Sequence, residues 1–413
     1  MDNGYNKTKL ACYLCCFTSS SAFLLPPMLF SWFREAYEIS YTALGTLVLI
    51  NFLTQLAVDL AFSFFSHRFN PPRAIRIAPL LFCIGYASFA VLPWILPRSL
   101  VYYGLLFGTV IFSAAAGLFE VLLSPVVARA SAKPDRDVSR LHSLYAYGSL
   151  AVILSSTLYI YLFGKENWQY LVLFWSACGL LLFFFMMRVK IPPLDSEKSK
   201  GEQKTLPVLL LFVLCIFFGG AAEITISNFL SSYAEIALQI PKAIGDLFGM
   251  AGFAFLFTVG RSMYTKYGKN VTRVLLFGML GAFICYVLLA FLTSRVLCLA
   301  VCAIIGLCVS LLWPGSLILM EEKLPRLGVG AYALMAAGGD LGASLAPQLM
   351  GIVIDKAADT NIATLFIDAL SIAPASVGMR IGMLVSSFFP LCGFIVMLVI
   401  KKRFSKNKEK TNG

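Results

Sequence analysis

The sequence predicts an all-α integral membrane protein of twelve transmembrane helices, divided six and six. Three observations predict it: the mean hydropathy is +0.82, only 13% of residues are charged, and apolar runs of spanning length recur along the chain. Soluble domains are about a quarter charged, so that class is excluded. With 59% of 413 residues hydrophobic, and about 20 apolar residues needed per span, the composition supplies about a dozen spans and no sizeable soluble domain.

Each span rests on its own apolar run. In the first half these are Leu10 to Phe30 (span 1), Tyr41 to Phe65 (span 2), Ala74 to Trp94 (span 3), Leu100 to Ala128 (span 4), Leu141 to Phe163 (span 5) and Tyr170 to Met187 (span 6). In the second half they are Leu206 to Tyr233 (span 7), Ile244 to Tyr264 (span 8), Val271 to Leu292 (span 9), Val296 to Met320 (span 10), Gly328 to Ile354 (span 11) and Gly378 to Ile400 (span 12). The polar stretch IPPLDSEKSKGEQK divides them. The expected organisation is a six-helix bundle over 1–189, a cytoplasmic linker over 190–205, a second six-helix bundle over 206–403 and a polar cytoplasmic tail over 404–413.

Charge orients the spans. Of the 33 Lys and Arg, 26 fall in the N-terminus, the linker, the C-terminus and the loops on their side; Arg34, Arg98, Lys165, Lys242, Arg295, Lys356 and Arg380 fall opposite. The positive-inside rule then makes both termini cytoplasmic, in a multi-pass protein of the cell inner (plasma) membrane. It also accounts for the net charge of +12 without nucleic acid. A cleaved signal peptide over span 1 would leave eleven spans and invert this asymmetry. The eleven cysteines lie almost entirely in apolar runs, where they read as small hydrophobes. Two histidines, His67 and His142, give no metal-ligand set, and Gly164-Lys165 and Gly268-Lys269 lack the rest of a phosphate-binding loop. No enzyme chemistry, metal or cofactor is expected.

Two spans carry a proline where a break is expected: Ser124-Pro125 in span 4 and Trp313-Pro314-Gly315 in span 10. Small residues such as Gly338 and Gly339 are expected to serve close packing.

Ionisable groups in apolar runs are costly and therefore candidates for function. Glu120 stands about nine residues, roughly 13 Å, from the cytoplasmic end of span 4, and Asp340 about twelve residues, roughly 18 Å, into span 11. Asp59 stands about eight residues from the cytoplasmic end of span 2, and Glu223 nearer the outer face of span 7. Glu120 and Asp340 are the proton-coupling candidates; a structural pair with a polar neighbour is the competing reading. Asp59 and Arg261 are the gating candidates, as a charge network near the cytoplasmic end. Asn51, Gln55, Ser227, Asn228, Trp313 and Gln348 add amides, hydroxyls and an aromatic face of the kind that recognises sugars.

Several segments resemble a known family. GLFEVLLSPVV from Gly117, LHSLYAYGS from Leu141, NWQYLVLFW from Asn167, AAEITISNFLSSYAE from Ala221, GDLFG from Gly245, LLWPGSL from Leu311 and GGDLGASLAPQLMG from Gly338 follow one another in an order and spacing that resembles the major facilitator superfamily of secondary transporters. Within it, the chain resembles the fucose-permease-like branch of sugar–proton symporters. The resemblance implies two bundles rocking around a central site lined by spans 1, 4, 7 and 10. The family's span 4 acid falls on Glu120 and its span 7 glutamate on Glu223. The branch's span 1 acid has no counterpart here, and His67 stands where the superfamily's loop 2–3 has an aspartate.

The function expected is therefore proton-coupled uptake of a small polar solute, such as a sugar or sugar derivative, by alternating access. Glu120, Glu223, Asn228, Trp313 and Asp340 are the solute-binding candidates. The partners are the solute, protons and the lipid bilayer, with no nucleic acid, and the chain is expected to be monomeric. An exporter of amphipathic drugs is the alternative within the class, and a non-transporting sensor the alternative outside it.

Overall fold

The computed structural model describes residues 5–65, 70–193, 206–268, 270–324, 329–357 and 360–411. Most of the linker, 194–205, and His67 lie outside them. Among the described residues every regular element is a helix. Eleven of the helical segments are long and apolar enough to cross a membrane. Span 11, Val329–Ala357, is as long at 29 residues, but glycine, alanine, serine and Asp340 dilute its hydrophobicity.

The chain divides into two compact units: Met1–Ile39 with Ile50–Lys198, and Ser40–Leu49 with Ser199–Gly413. The first holds span 1 (Asn6–Ser19 and Ser21–Met28), most of span 2 (Tyr41–Phe65), and spans 3 (Pro71–Ile95), 4 (Val101–Ala130), 5 (Pro134–Phe163) and 6 (Trp168–Met187). The second holds spans 7 (Leu206–Ser232) and 8 (Lys242–Gly245 and Ala251–Tyr267), joined to π-helical turns Tyr233–Ala237 and Asp246–Met250, then span 9 (Val271–Phe291) and span 10 (Arg295–Val309 and Leu312–Lys323). Span 11, a short helix Asn361–Leu370 and span 12 (Pro374–Ser386 and Phe388–Thr411) complete it. The last helix runs on through Phe404 to Thr411, so the expected polar tail is helical as far as residue 411.

The expected pair of mid-span breaks is half right. Span 4 passes through Pro125 as one 30-residue helix. One proline removes one backbone hydrogen bond, and Val126 and Val127 on its far side are fully buried, which holds the axis. Span 10 is interrupted at Ser310 and Leu311, directly before Trp313-Pro314. Span 1 is also interrupted, at Ser20 and at Leu29, around Pro26-Pro27.

Spans 3 and 9, at matching places in the two halves, start alike. Asn70 Oδ1 accepts the Arg73 N–H at 3.1 Å, and Asn270 Oδ1 accepts the Arg273 N–H at 3.1 Å. Each asparagine satisfies a donor that the helix start leaves open. At the other end of span 9, the buried Arg380 donates to the carbonyls of Leu292 at 2.6 Å and Ala290 at 3.4 Å, closing the helix C-terminus with positive charge.

The first turns of span 2 join the second unit through a carboxylate. Asp355, near the end of span 11, accepts the N–H of Tyr41 at 3.0 Å and of Thr42 at 2.6 Å. An acid at a helix N-terminus meets both open donors and the positive end of the helix dipole.

Candidate functional site

The candidate residues fall into two groups, one in each unit. In the first unit, spans 2 and 4 meet closely at Gly117, where a Cβ would lie 3.1 Å from Val58 Cβ and 3.2 Å from Gln55 Cα. Glu120 stands one turn beyond Gly117 and Asp59 one residue beyond Val58, so the close approach brings the two acids together. Their charges interact, and Cys16 of span 1 is also in electrostatic range of Glu120.

Glu120 is exposed, although its neighbours Phe119, Leu122 and Leu123 are buried. Span 4 exposes a stripe of large apolar side chains, Tyr103, Phe107 and Val110, of the kind that suits lipid. At about 100° per residue, Glu120 lies about 100° around the helix from that stripe. Its carboxyl therefore opens onto an accessible surface other than the lipid face. Asp59 is half-buried, and its Oδ1 has no hydrogen-bond partner.

Asn51 is spent inside the unit, and Gln55 spends its amide nitrogen on it. Asn51 Nδ2 donates to the Ala22 carbonyl at 3.3 Å, and its Oδ1 accepts from Ser113 Oγ at 2.7 Å and from Gln55 Nε2 at 2.9 Å. Pro26 lacks the N–H that would have bonded the Ala22 carbonyl four residues earlier, and the amide from span 2 takes that place. These residues knit spans 1, 2 and 4, while Gln55 Oε1 keeps no hydrogen-bond partner.

In the second unit, Glu223 and Arg261 form an ion pair at 3.5 Å. Span 7 continues through its π turn to Ala237, which places Glu223 close to the middle of a 32-residue span and not nearer the outer face as the sequence suggested. Arg261 starts about six residues, roughly 9 Å, from the end of span 8, and its side chain reaches to that glutamate. Its Nε donates to the Ser310 carbonyl at 2.9 Å, and its guanidinium carbon lies 4.1 Å from the centroid of the Phe257 ring. The Ser310 carbonyl is open for the same reason as that of Ala22: the residue four positions on, Pro314, has no N–H to give it.

Trp313 stands beside this pair. A Cβ at Gly339 would lie 2.5 Å from Trp313 Cη2, and one at Gly220 would lie 3.0 Å from Trp313 Cζ3 and 2.8 Å from the Gly339 carbonyl. The indole thus lies in a seat of two glycines, one turn before Glu223 on span 7 and one residue before Asp340 on span 11. Asp340 is 3% exposed. Asn228 is also buried and spends an amide hydrogen on its own helix, donating to the Ile224 carbonyl at 2.8 Å. The structure thus gathers Glu223, Trp313 and Asp340 around spans 7, 10 and 11 and turns Asn228 inward.

An ion pair at mid-span, with its arginine held by a carbonyl that a discontinuous helix exposes, fits a multi-pass membrane transporter, and the family the chain matches is one of transporters and not of enzymes. The chain belongs to the Major Facilitator Superfamily, whose sequence profile matches residues 10–347. Its fold is similar to that of a bacterial homologue of the human lysosomal transporter Spinster, with a TM-score of 0.77 at 13% identity, covering 98% of each chain. It is similar also to a D-xylose–proton symporter, with a TM-score of 0.73 at 14% identity over 94% of this chain and 97% of that one. The nucleoside transporter NupG gives 0.69 at 12% identity over 97% and 99%. Curated proteins give no match.

Proposed function

We propose that this transporter takes up a small polar solute, such as a sugar or sugar derivative, together with protons and by alternating access. The observation that carries the proposal is Glu120: an acid at membrane depth, accessible, off the lipid stripe and beside a second acid, Asp59. A carboxyl so placed can load a proton from an aqueous face and release it to another. Asp59 shares that proton handling, and Asp340 is the second proton carrier. Glu223, Trp313 and Asp340 contact the solute from the second unit. Both termini are cytoplasmic, in the plasma membrane, and one chain suffices. The similarity to a sugar–proton symporter and a nucleoside transporter supports a polar solute over an amphipathic drug.

The test is Glu120→Gln, which keeps shape and hydrogen bonding but cannot titrate. With a solute found by thermal-shift screening of sugars, sugar acids and nucleosides, proteoliposomes carrying this variant should lose accumulation driven by a pH gradient. Solute exchange without net proton movement should survive. Undiminished uphill uptake would remove Glu120 from the proton path and move that role to Asp340.

A further inference from the structure

We propose that the helix Asn361–Leu370 lies in the membrane–water boundary of the leaflet opposite the termini, with Ile362 and Leu365 set among lipid acyl chains. This contact is independent of the solute carried. Its basis is the way ten residues divide into three faces. At about 100° per residue, Ala363, Phe366, Ile367 and Leu370 fall within about 100° of the helix circumference. Ile362, Leu365 and Ala369 fall within about 60° of one another, and so do Asn361, Thr364 and Asp368.

The first face belongs to the protein. Ala363 and Phe366 are buried with Val377 and Ile381 of span 12, and Ile367 and Leu370 pack on the same cluster beside Val353 of span 11. The third face is polar and exposed, as suits water. The second is neither: Ile362 is 58% exposed and Leu365 69%, and Ala369 is exposed beside them. Two large apolar side chains presented together, away from both the protein and the polar face, are the pattern of a helix that lies flat in a lipid surface.

The helix is held at the depth where such a surface lies. Only three residues separate it from Ala357 at the end of span 11, and three from Pro374 at the start of span 12. Thr360 Oγ1 donates to the Ala357 carbonyl at 2.7 Å, and the Ala363 N–H to the Thr360 carbonyl at 2.9 Å, fastening the helix start to the end of span 11. At the other end Ser371, in a left-handed conformation with φ 49°, turns the chain toward span 12. The Phe366 ring stacks on Phe291, the last residue of span 9, with centroids 5.4 Å apart. Phe291 is itself 44% exposed, and Ile362 stands one turn before Phe366. The exposed apolar surface thus continues from the end of a spanning helix onto the short one. Composition names the kind of contact: the helix has no lysine or arginine, and its one acid, Asp368, is on the polar face. Acyl chains hold it, and anionic headgroups do not.

The test places p-benzoylphenylalanine, one position at a time, at Ile362, Leu365, Thr364 and Asp368 of the full-length protein, all of them exposed. Each variant is reconstituted in phosphatidylcholine vesicles, irradiated and weighed intact by mass spectrometry. Phospholipid adducts should form several-fold more at Ile362 and Leu365 than at Thr364 and Asp368. Doping the vesicles with phosphatidylglycerol should leave those yields unchanged. Equal yields at all four positions, or a yield that rises with the anionic lipid, overturns the proposal. Cross-linked dimers in place of lipid adducts at Ile362 and Leu365 overturn it in favour of contact between copies of the chain. Two positions on each face keep the comparison standing if one variant fails to fold.

Discussion

Pro26 and Pro314 each withhold one hydrogen-bond donor, and in each case a side chain from another helix takes the carbonyl so exposed: Asn51 on Ala22, Arg261 on Ser310. Membrane interiors offer no water for this purpose, so an open carbonyl is a strong demand for a donor. Replacing Asn51 by alanine should leave the Ala22 carbonyl, Ser113 and Gln55 short of a partner at once. We expect a loss of about 1–3 kcal/mol, seen as a lower thermal midpoint of the purified protein. An unchanged midpoint would mean that other donors reach these groups. The acids of both sites were legible in the sequence, because a carboxylate in an apolar run is conspicuous. Their partners were not. Arg261 reads as a basic residue near a cytoplasmic helix end, and only three-dimensional packing shows its side chain turned toward mid-span. Counting back four residues from Pro314 would have pointed to Ser310 as a site in need of a donor.

Between elements, spans 7, 10 and 11 meet through the indole of Trp313 in its two-glycine seat. Gly339→Ala would force a methyl group against the ring, and overpacking of this kind costs about 1–3 kcal/mol. The thermal midpoint should fall, and Trp313→Phe, which removes the far ring edge, should restore part of it in the double variant. Simple additivity of the two changes would show that the contact is relieved elsewhere. Most element boundaries followed from hydropathy; span 2 falls at Tyr41–Phe65 in sequence and structure alike. The helix Asn361–Leu370 did not. Ten residues are too few to cross a membrane, and their pattern shows only once Ala363 and Phe366 are seen buried with Val377 and Ile381. Pro125 misled for a physical reason: a proline removes one bond, and whether the helix breaks depends on the packing around it.

Across the whole molecule, charge asymmetry sets the expected topology, and the matched asparagine caps mark spans 3 and 9 as corresponding helices of the two halves. A reporter fused after Gly413 should therefore read cytoplasmic, and one inserted near Asp359 external; the opposite pair of results would sink the twelve-span topology. The division into six and six was legible because one long polar stretch interrupts the apolar runs. That Ser40–Leu49 would join the second unit was not, because the groups it meets, Pro347, Gln348, Gly351 and Asp355 among them, lie more than three hundred positions away. This cap also has a bearing on biosynthesis. Tyr41 and Asp355 are separated by 314 residues. At about 5–20 residues per second, the start of span 2 leaves the ribosome roughly 15–60 s before the carboxylate that completes it exists. During that interval its open donors need a temporary acceptor, such as water or a lipid headgroup.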